Sequence, residues 1–172
     1  MKFTKLLPNS CNFRDLIDNN RIYVDKTALI CQIAKDEKGP YFISRPRRFG
    51  KSTLINTFHE LFAHGTEKFK GLAIEPLWHD KTYKVLHLDF SSYNFLSEIN
   101  FCDYFYEDLK QKFIELGFSV NDSNLSLKAP GLLVDIAFKN EHSGEDIVLL
   151  VDEYDTPRSE ERRVGKECRS RW

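Results

Sequence analysis

The sequence predicts an α/β domain of the three-layer αβα type, built on a mostly parallel sheet. Three observations predict it. The run 147–151, IVLLV, is apolar at every position, as expected of a central parallel strand covered on both faces. Residues 41–58 pass from a short apolar run, through a basic loop, into a segment with helical periodicity. Residues 84–91, KVLHLDFS, place Val85, Leu86, Leu88 and Phe90 in a second strand closed by Ser91 and Ser92. The resulting order is strand, loop, helix, strand, helix, helix, strand.

The remaining elements follow from local signals. FRDLIDN at 13–19 has the spacing of a short amphipathic helix. After the apolar IYV at 22–24, Asp25 or Thr27 is placed to cap a helix through ALICQIAK, with Ala28, Leu29, Ile30 and Ile33 as its stripe. Residues 37–40, EKGP, break the chain before the strand expected at 41–44. In KSTLINTFHELFAHG, Leu54, Ile55, Phe58, Leu61 and Phe62 gather on one helical face, and Gly65 is a stop. A helix is expected from Cys102 to Leu116, closed by Gly117, and another over 132–140.

With 172 residues, 41% hydrophobic and 30% charged, the chain has the composition of a soluble single domain. The net charge of -1 divides unevenly. Residues 158–172 hold six Arg or Lys against three Glu, a balance of +3, which leaves -4 for the rest. A mildly acidic body argues against a general nucleic-acid surface. Cys11, Cys31, Cys102 and Cys168 match no zinc or redox spacing, and the five histidines are scattered. The N-terminus has no signal-peptide pattern, and no run is long enough to span a membrane, so the expected compartment is the cytoplasm.

The chemistry concentrates in two places. Residues 44–52 read SRPRRFGKS, and GKS between a strand and a helix is the end of a phosphate-binding loop. Gly50 lets the backbone approach a phosphate without an intervening Cβ. Lys51 sets positive charge beside the outer phosphates, and the Ser52 hydroxyl can reach magnesium. The free N–H groups at the helix start face the anion. The expected nucleotide-contacting stretch is Arg45, Pro46, Arg47, Arg48, Phe49, Gly50, Lys51, Ser52 and Thr53. It departs from the full pattern in having Arg45 where the first glycine belongs, and Pro46 removes a backbone donor.

The second place is VDEYD at 151–155. Asp152 would sit at the C-terminal edge of its strand, where open α/β sheets bind ligands, and would hold magnesium together with Ser52. Glu153 is the candidate for activating the attacking water. Asp155 is a loop cap or supporting group, and Asp89 either faces the same edge or caps its own strand. Tyr23, Asp25 and Lys26 lack an activating pattern and read as capping or packing residues. Trp78 is expected to pack, as is Cys102, while His59 packs or lies at the surface.

The segments YVDKT (23–27), YFISRPRRFGKSTLINTF (41–58), FKGLAI (69–74), LDFS (88–91) and LVDEYDTP (150–157) resemble the AAA-ATPase-like domain family. That family occurs in bacterial and archaeal proteins, often with a restriction-nuclease-like domain downstream. The resemblance covers about residues 6–157 and implies ATP and magnesium as ligands, with Lys51 and Glu153 as the catalytic pair. Arg45 in place of the first glycine is that family's own pattern. The alternative reading is a nucleotide-dependent module that recruits a protein or nucleic-acid partner, with little hydrolysis.

Residues 1–157 are therefore expected to form a partial, C-terminally truncated P-loop domain. RSEERRVGKECRSRW, 158–172, lacks apolar periodicity and resembles translated adapter sequence, a non-native tail. Further strands, a transition-state arginine, an oligomer interface and partner contacts would belong to a region beyond residue 157.

Overall fold

Asn12 starts the first helix. Its side-chain carbonyl accepts the Arg14 N–H at 2.9 Å, and α1 runs over Phe13–Asp18. The computed structural model describes residues 12–36, 40–44, 46, 48–93, 98–118, 120 and 146–154, and only the backbone of 98–100 and 102. The chain divides into two compact units, Met1–Val85 and Leu86–Trp172.

In the first unit α1 is followed by α2, Thr27–Ala34, and α3, Lys51–His64. The N-cap position of α2 is Lys26, which makes no side-chain cap bond, and of the two expected caps it is Asp25, one residue earlier, that takes up the first amide. Asp25 Oδ1 accepts both the N–H and the hydroxyl of Thr27, at 2.9 and 2.6 Å. Thr27, Ile30 and Cys31 form the buried face of α2, while Leu29, expected in the stripe, is 58% exposed. Helix positions 29 and 30 differ by about 100° around the axis, so a narrow buried strip takes one and leaves the other.

α3 turns Phe58, Leu61 and Phe62 inward, and Gly65 ends it at φ +66. The core of this unit is aromatic. Phe13 stacks on Phe69 at 4.6 Å and meets Tyr23 edge-on at 5.0 Å, and Phe62 meets Trp78 and Tyr83 edge-on. Offset and edge-on pairs of this kind add about 0.5–1.5 kcal/mol beyond the buried area. α1 packs against α3, with Arg14 donating two bonds to the buried Glu60 carboxylate, at 2.9 and 3.1 Å.

The expected strand at 41–44 does not form, and these residues have no regular secondary structure. Tyr41 and Phe42 are 49% and 68% exposed, so the apolar run buries too little to anchor a strand. Pro40 and Pro46 close in on it, each without an N–H for a ladder.

The second unit is built on a two-stranded sheet among the described residues. β1, Lys84–Asp89, which begins at the division between the units, pairs with β2, Ile147–Asp152. β1 passes into a 3-10 turn over Phe90–Tyr93 and then into α4, Glu98–Glu115. Leu86 and Leu88 pack with Tyr106, Leu109 and Phe113 of α4 and with Phe118, and Ile147 joins them. Positions 106, 109 and 113 recur at helical spacing, which puts them on one face. Gly117 closes the helix at φ +84.

β2 is apolar from Ile147 to Val151, yet Leu149 is 57% exposed while Leu150 is buried. The expected two-sided cover is therefore incomplete, because neighbouring residues of a strand point to opposite faces. Helices and a paired sheet make the fold mixed α/β. The expected helix over 132–140 and the whole of 155–172 lie outside the described residues.

Candidate nucleotide-binding site

The basic loop is built around two left-handed residues. Arg48 has φ +65 and Gly50 has φ +72. A side chain pays strain in that region, and glycine does not. A Cβ built at Gly50 would meet nothing within 4 Å, so the backbone angle, not crowding by the protein, calls for glycine here. Pro46, Arg48 and Phe49 are exposed, Phe49 at 64%. Arg45 and Arg47 lie outside the described residues.

Gly50 is also the N-cap of α3 and offers no side chain to its amides. The first main-chain helical bond runs from Leu54 N–H to Gly50 O at 3.0 Å. The N–H groups of Lys51, Ser52 and Thr53 therefore stand outside the α-helical ladder, as the first amides of any helix do. The helix dipole stands behind them, and free amides at a helix start are groups that an anion can accept from. Lys51, Ser52 and Thr53 are all half-buried.

Two bonds that sequence reasoning missed brace this turn. Asn56 Nδ2 donates to the Ser52 carbonyl at 2.8 Å, and the Thr57 hydroxyl donates to the Thr53 carbonyl at 2.7 Å. Thr57 is fully buried, and burial pushes the pKa of the Tyr23 phenol up, with Asp25 adding to the rise and Thr57 opposing it. A polar pair at positions 56 and 57 beside an apolar stripe is the only trace of this in the sequence.

Asp25 itself is a clasp. Besides capping Thr27, its Oδ2 accepts the Ala73 N–H at 2.8 Å, and Thr27 Oγ1 accepts the Ile74 N–H at 3.0 Å. Partial burial pushes the Asp25 carboxyl up, but the bonds from Thr27 and Ala73 outweigh it and hold it below the ordinary aspartate range.

In the second unit Asp152 ends β2 and is buried, with 8% exposure. Its Oδ1 accepts the Glu153 N–H at 2.9 Å, in a turn where Glu153 takes φ +50. A non-glycine residue there is strained, and such strain gathers at functional turns. Asp89 closes β1 and caps its own turn, accepting the Ser91 N–H at 2.9 Å. His87 is held below the ordinary histidine range, chiefly by burial and also by Lys112, while Asp89 and Asp152 oppose the shift. Asp155 lies outside the described residues. No cluster of three or more His, Cys, Asp or Glu able to hold a metal occurs among the described residues.

The structure thus places Pro46, Arg48, Phe49, Gly50, Lys51, Ser52 and Thr53 in one unit, and Asp152 and Glu153 in the other. A family model described as "Predicted AAA-ATPase" matches residues 10–168. The chain belongs to the AAA-ATPase-like family. The AAA-ATPase-like match runs past residue 157, the end of the expected domain, into the basic tail. An Azotobacter chroococcum mcd 1 protein, "Uncharacterized protein in vnfD 5'region", is 35% identical over 145 residues, which cover 78% of this chain and 26% of that protein. The chain therefore spans about a quarter of that relative's length. No solved structure matches the chain. AAA-ATPase-like membership brings nucleotide binding as the family-level activity. Among the described residues no helix is long and apolar enough to cross a membrane.

Proposed function

We propose that this chain carries the front half of an ATP-hydrolysing domain, with ATP held at the start of α3. The observation that supports it most is the exposed turn in which a left-handed Gly50 leads directly into Lys51, Ser52 and Thr53, with three amides outside the helical ladder. Backbone donors and a lysine converging at one helix start suit a chain of phosphates. The exposed Arg48 adds charge, and Arg45, Pro46, Arg47 and Phe49 complete the contacting loop.

Magnesium would be held by the Ser52 hydroxyl and the Asp152 carboxylate. Both are hard oxygen donors, and a buried carboxylate at a strand end is the kind of group that gains from a cation. When bound, the ion supplies charge neutralisation on the phosphate oxygens. Lys51 binds and orients the outer phosphates. Glu153 accepts a proton from the attacking water as its oxygen bonds to the γ-phosphorus and the bond to the bridging oxygen breaks, giving ADP and inorganic phosphate.

The reading extends to the whole protein as a cytoplasmic three-layer αβα domain with a mostly parallel sheet. Its further strands, partner contacts and any oligomer interface would lie in the length that the Azotobacter relative has beyond this match. Residues 158–172 would be foreign to it. The test is ATP binding to the chain and to Lys51→Ala by calorimetry with magnesium present. A weakening of roughly 10- to 100-fold is expected, the scale of losing a charge-assisted hydrogen bond. Equal affinity would show that ATP does not rest on this loop.

A further inference from the structure

The two paired strands of the sheet both end in aspartate, and the two carboxylates are used differently. Asp89, at the end of β1, reaches two residues ahead and accepts the Ser91 N–H at 2.9 Å. No residue from Phe90 to Tyr93 has a positive φ. Asp152, at the end of β2, holds the very next residue, accepting the Glu153 N–H at 2.9 Å, and Glu153 takes φ +50. A left-handed backbone strains any residue that carries a Cβ. A strand that ends in aspartate does not by itself require that strain, since β1 ends without it.

A peptide unit is a rigid plane, so the bond from the Glu153 N–H to Asp152 Oδ1 fixes the plane that joins the two residues. The carboxylate is a firm anchor, being only 8% exposed and set on a paired strand. Among the described residues, the Glu153 N–H is its one hydrogen-bond donor. From a fixed plane, φ at Glu153 decides where its Cβ leaves the backbone. Going from an ordinary helical φ to +50 swings that Cβ by about 110° around the N–Cα bond. The grip of Asp152 thus sets the plane, and the left-handed angle sets the side chain on it.

We propose that Asp152, besides holding magnesium, is a positioning residue for Glu153: its Oδ1 fixes the peptide from which the left-handed Glu153 projects its carboxylate. This rests on the reading of Asp152 as magnesium ligand and Glu153 as proton acceptor, and it divides the Asp152 carboxylate between two tasks. Oδ1 holds the peptide, and Oδ2 is left for the cation. Strain of this kind persists where the direction of a side chain matters to the chemistry.

The experiment compares the full chain with Asp152→Asn, Asp152→Leu and Asp152→Ala. Asparagine keeps an oxygen that can accept the Glu153 N–H, whereas leucine has nearly the same shape and no acceptor. Protection of the Glu153 amide from hydrogen exchange is measured without magnesium. It should fall at least about tenfold in Asp152→Leu and Asp152→Ala, the scale of losing a charge-assisted bond, and no more than about fivefold in Asp152→Asn. Single-turnover hydrolysis is then measured at saturating magnesium and ATP. All three variants should be slow, because each lacks the charged ligand, but Asp152→Asn should exceed the other two by about tenfold. Either acceptor-free variant that folds decides the matter, and an unprotected Glu153 amide in the parent overturns the role without any variant. Equal amide protection, or equal single-turnover rates, in Asp152→Asn and Asp152→Leu also overturns the positioning role and leaves the magnesium site standing. ATP affinity that is indifferent to magnesium in the parent removes that site, and the catalytic meaning of the grip with it.

Discussion

The loop ahead of α3 and the end of β2 carry opposite charge in opposite surroundings. Phe49 in the loop is 64% exposed and Arg48 beside it lies in water, whereas Asp152 is only 8% exposed. A cation in solvent costs nothing to keep charged, so the loop spends its strain on backbone shape, at Arg48 and Gly50. A buried carboxylate needs partners, and Asp152 takes the Glu153 N–H within a turn that is itself strained. The loop is shaped by its backbone angles, and the end of β2 by burial. They should therefore fail in different ways when mutated.

The largest expected effect lies on the buried side. Glu153→Gln keeps the shape of the turn and removes the proton acceptor, so steady-state turnover should fall about 100- to 10,000-fold with ATP binding retained. A variant that turns over normally would remove Glu153 from the chemistry. Next comes the packing behind β1 and β2. Phe113 is fully buried in the cluster that Ile147 joins. Phe113→Ala should lower unfolding free energy by about 3–5 kcal/mol in urea titrations. The matching change on the exposed side, Phe49→Ala, should stay within about 0.5 kcal/mol. Similar values for the two would erase the distinction between the regions.

A smaller effect is expected at Gly50. Alanine there meets no clash but must hold φ +72, which costs about 1–2 kcal/mol and favours a rearranged loop. ATP affinity should fall by more than stability, because the loop can relax while the amide geometry is lost.

The smallest is a pH effect at the Asp25 clasp. Because its folded-state pKa is depressed, its contribution is present above the ordinary aspartate value of about 4 and is lost as pH falls through the lower folded value. Asp25→Asn should therefore melt a few degrees below the parent at pH 7. The gap should close progressively below about pH 4. A gap that does not change with pH would mean that the charge of Asp25 contributes nothing.

What could be read from the sequence follows how local each cause is. α3 and the acid at the end of β2 were legible because periodicity, a glycine stop and an unbroken apolar run are written along the chain itself. The capping by Asp25 was legible for the same reason, since its partner Thr27 is two residues away. Its second grip, on Ala73, was not, because 48 residues separate the partners. The strand expected at 41–44 fails for the converse reason. Its apolar letters are local, but strand formation requires a neighbour and burial, and Tyr41 and Phe42 remain exposed. Leu29 repeats the lesson on α2, where hydrophobicity alone did not determine which of two adjacent residues turned inward.

The most direct test of the central claim is ATP affinity with and without magnesium, in the chain and in Asp152→Ala. The account predicts that magnesium tightens binding at least about tenfold in the parent and that Asp152→Ala loses most of this gain. Affinity that is indifferent to magnesium in the parent, or a gain that survives intact in Asp152→Ala, would contradict it.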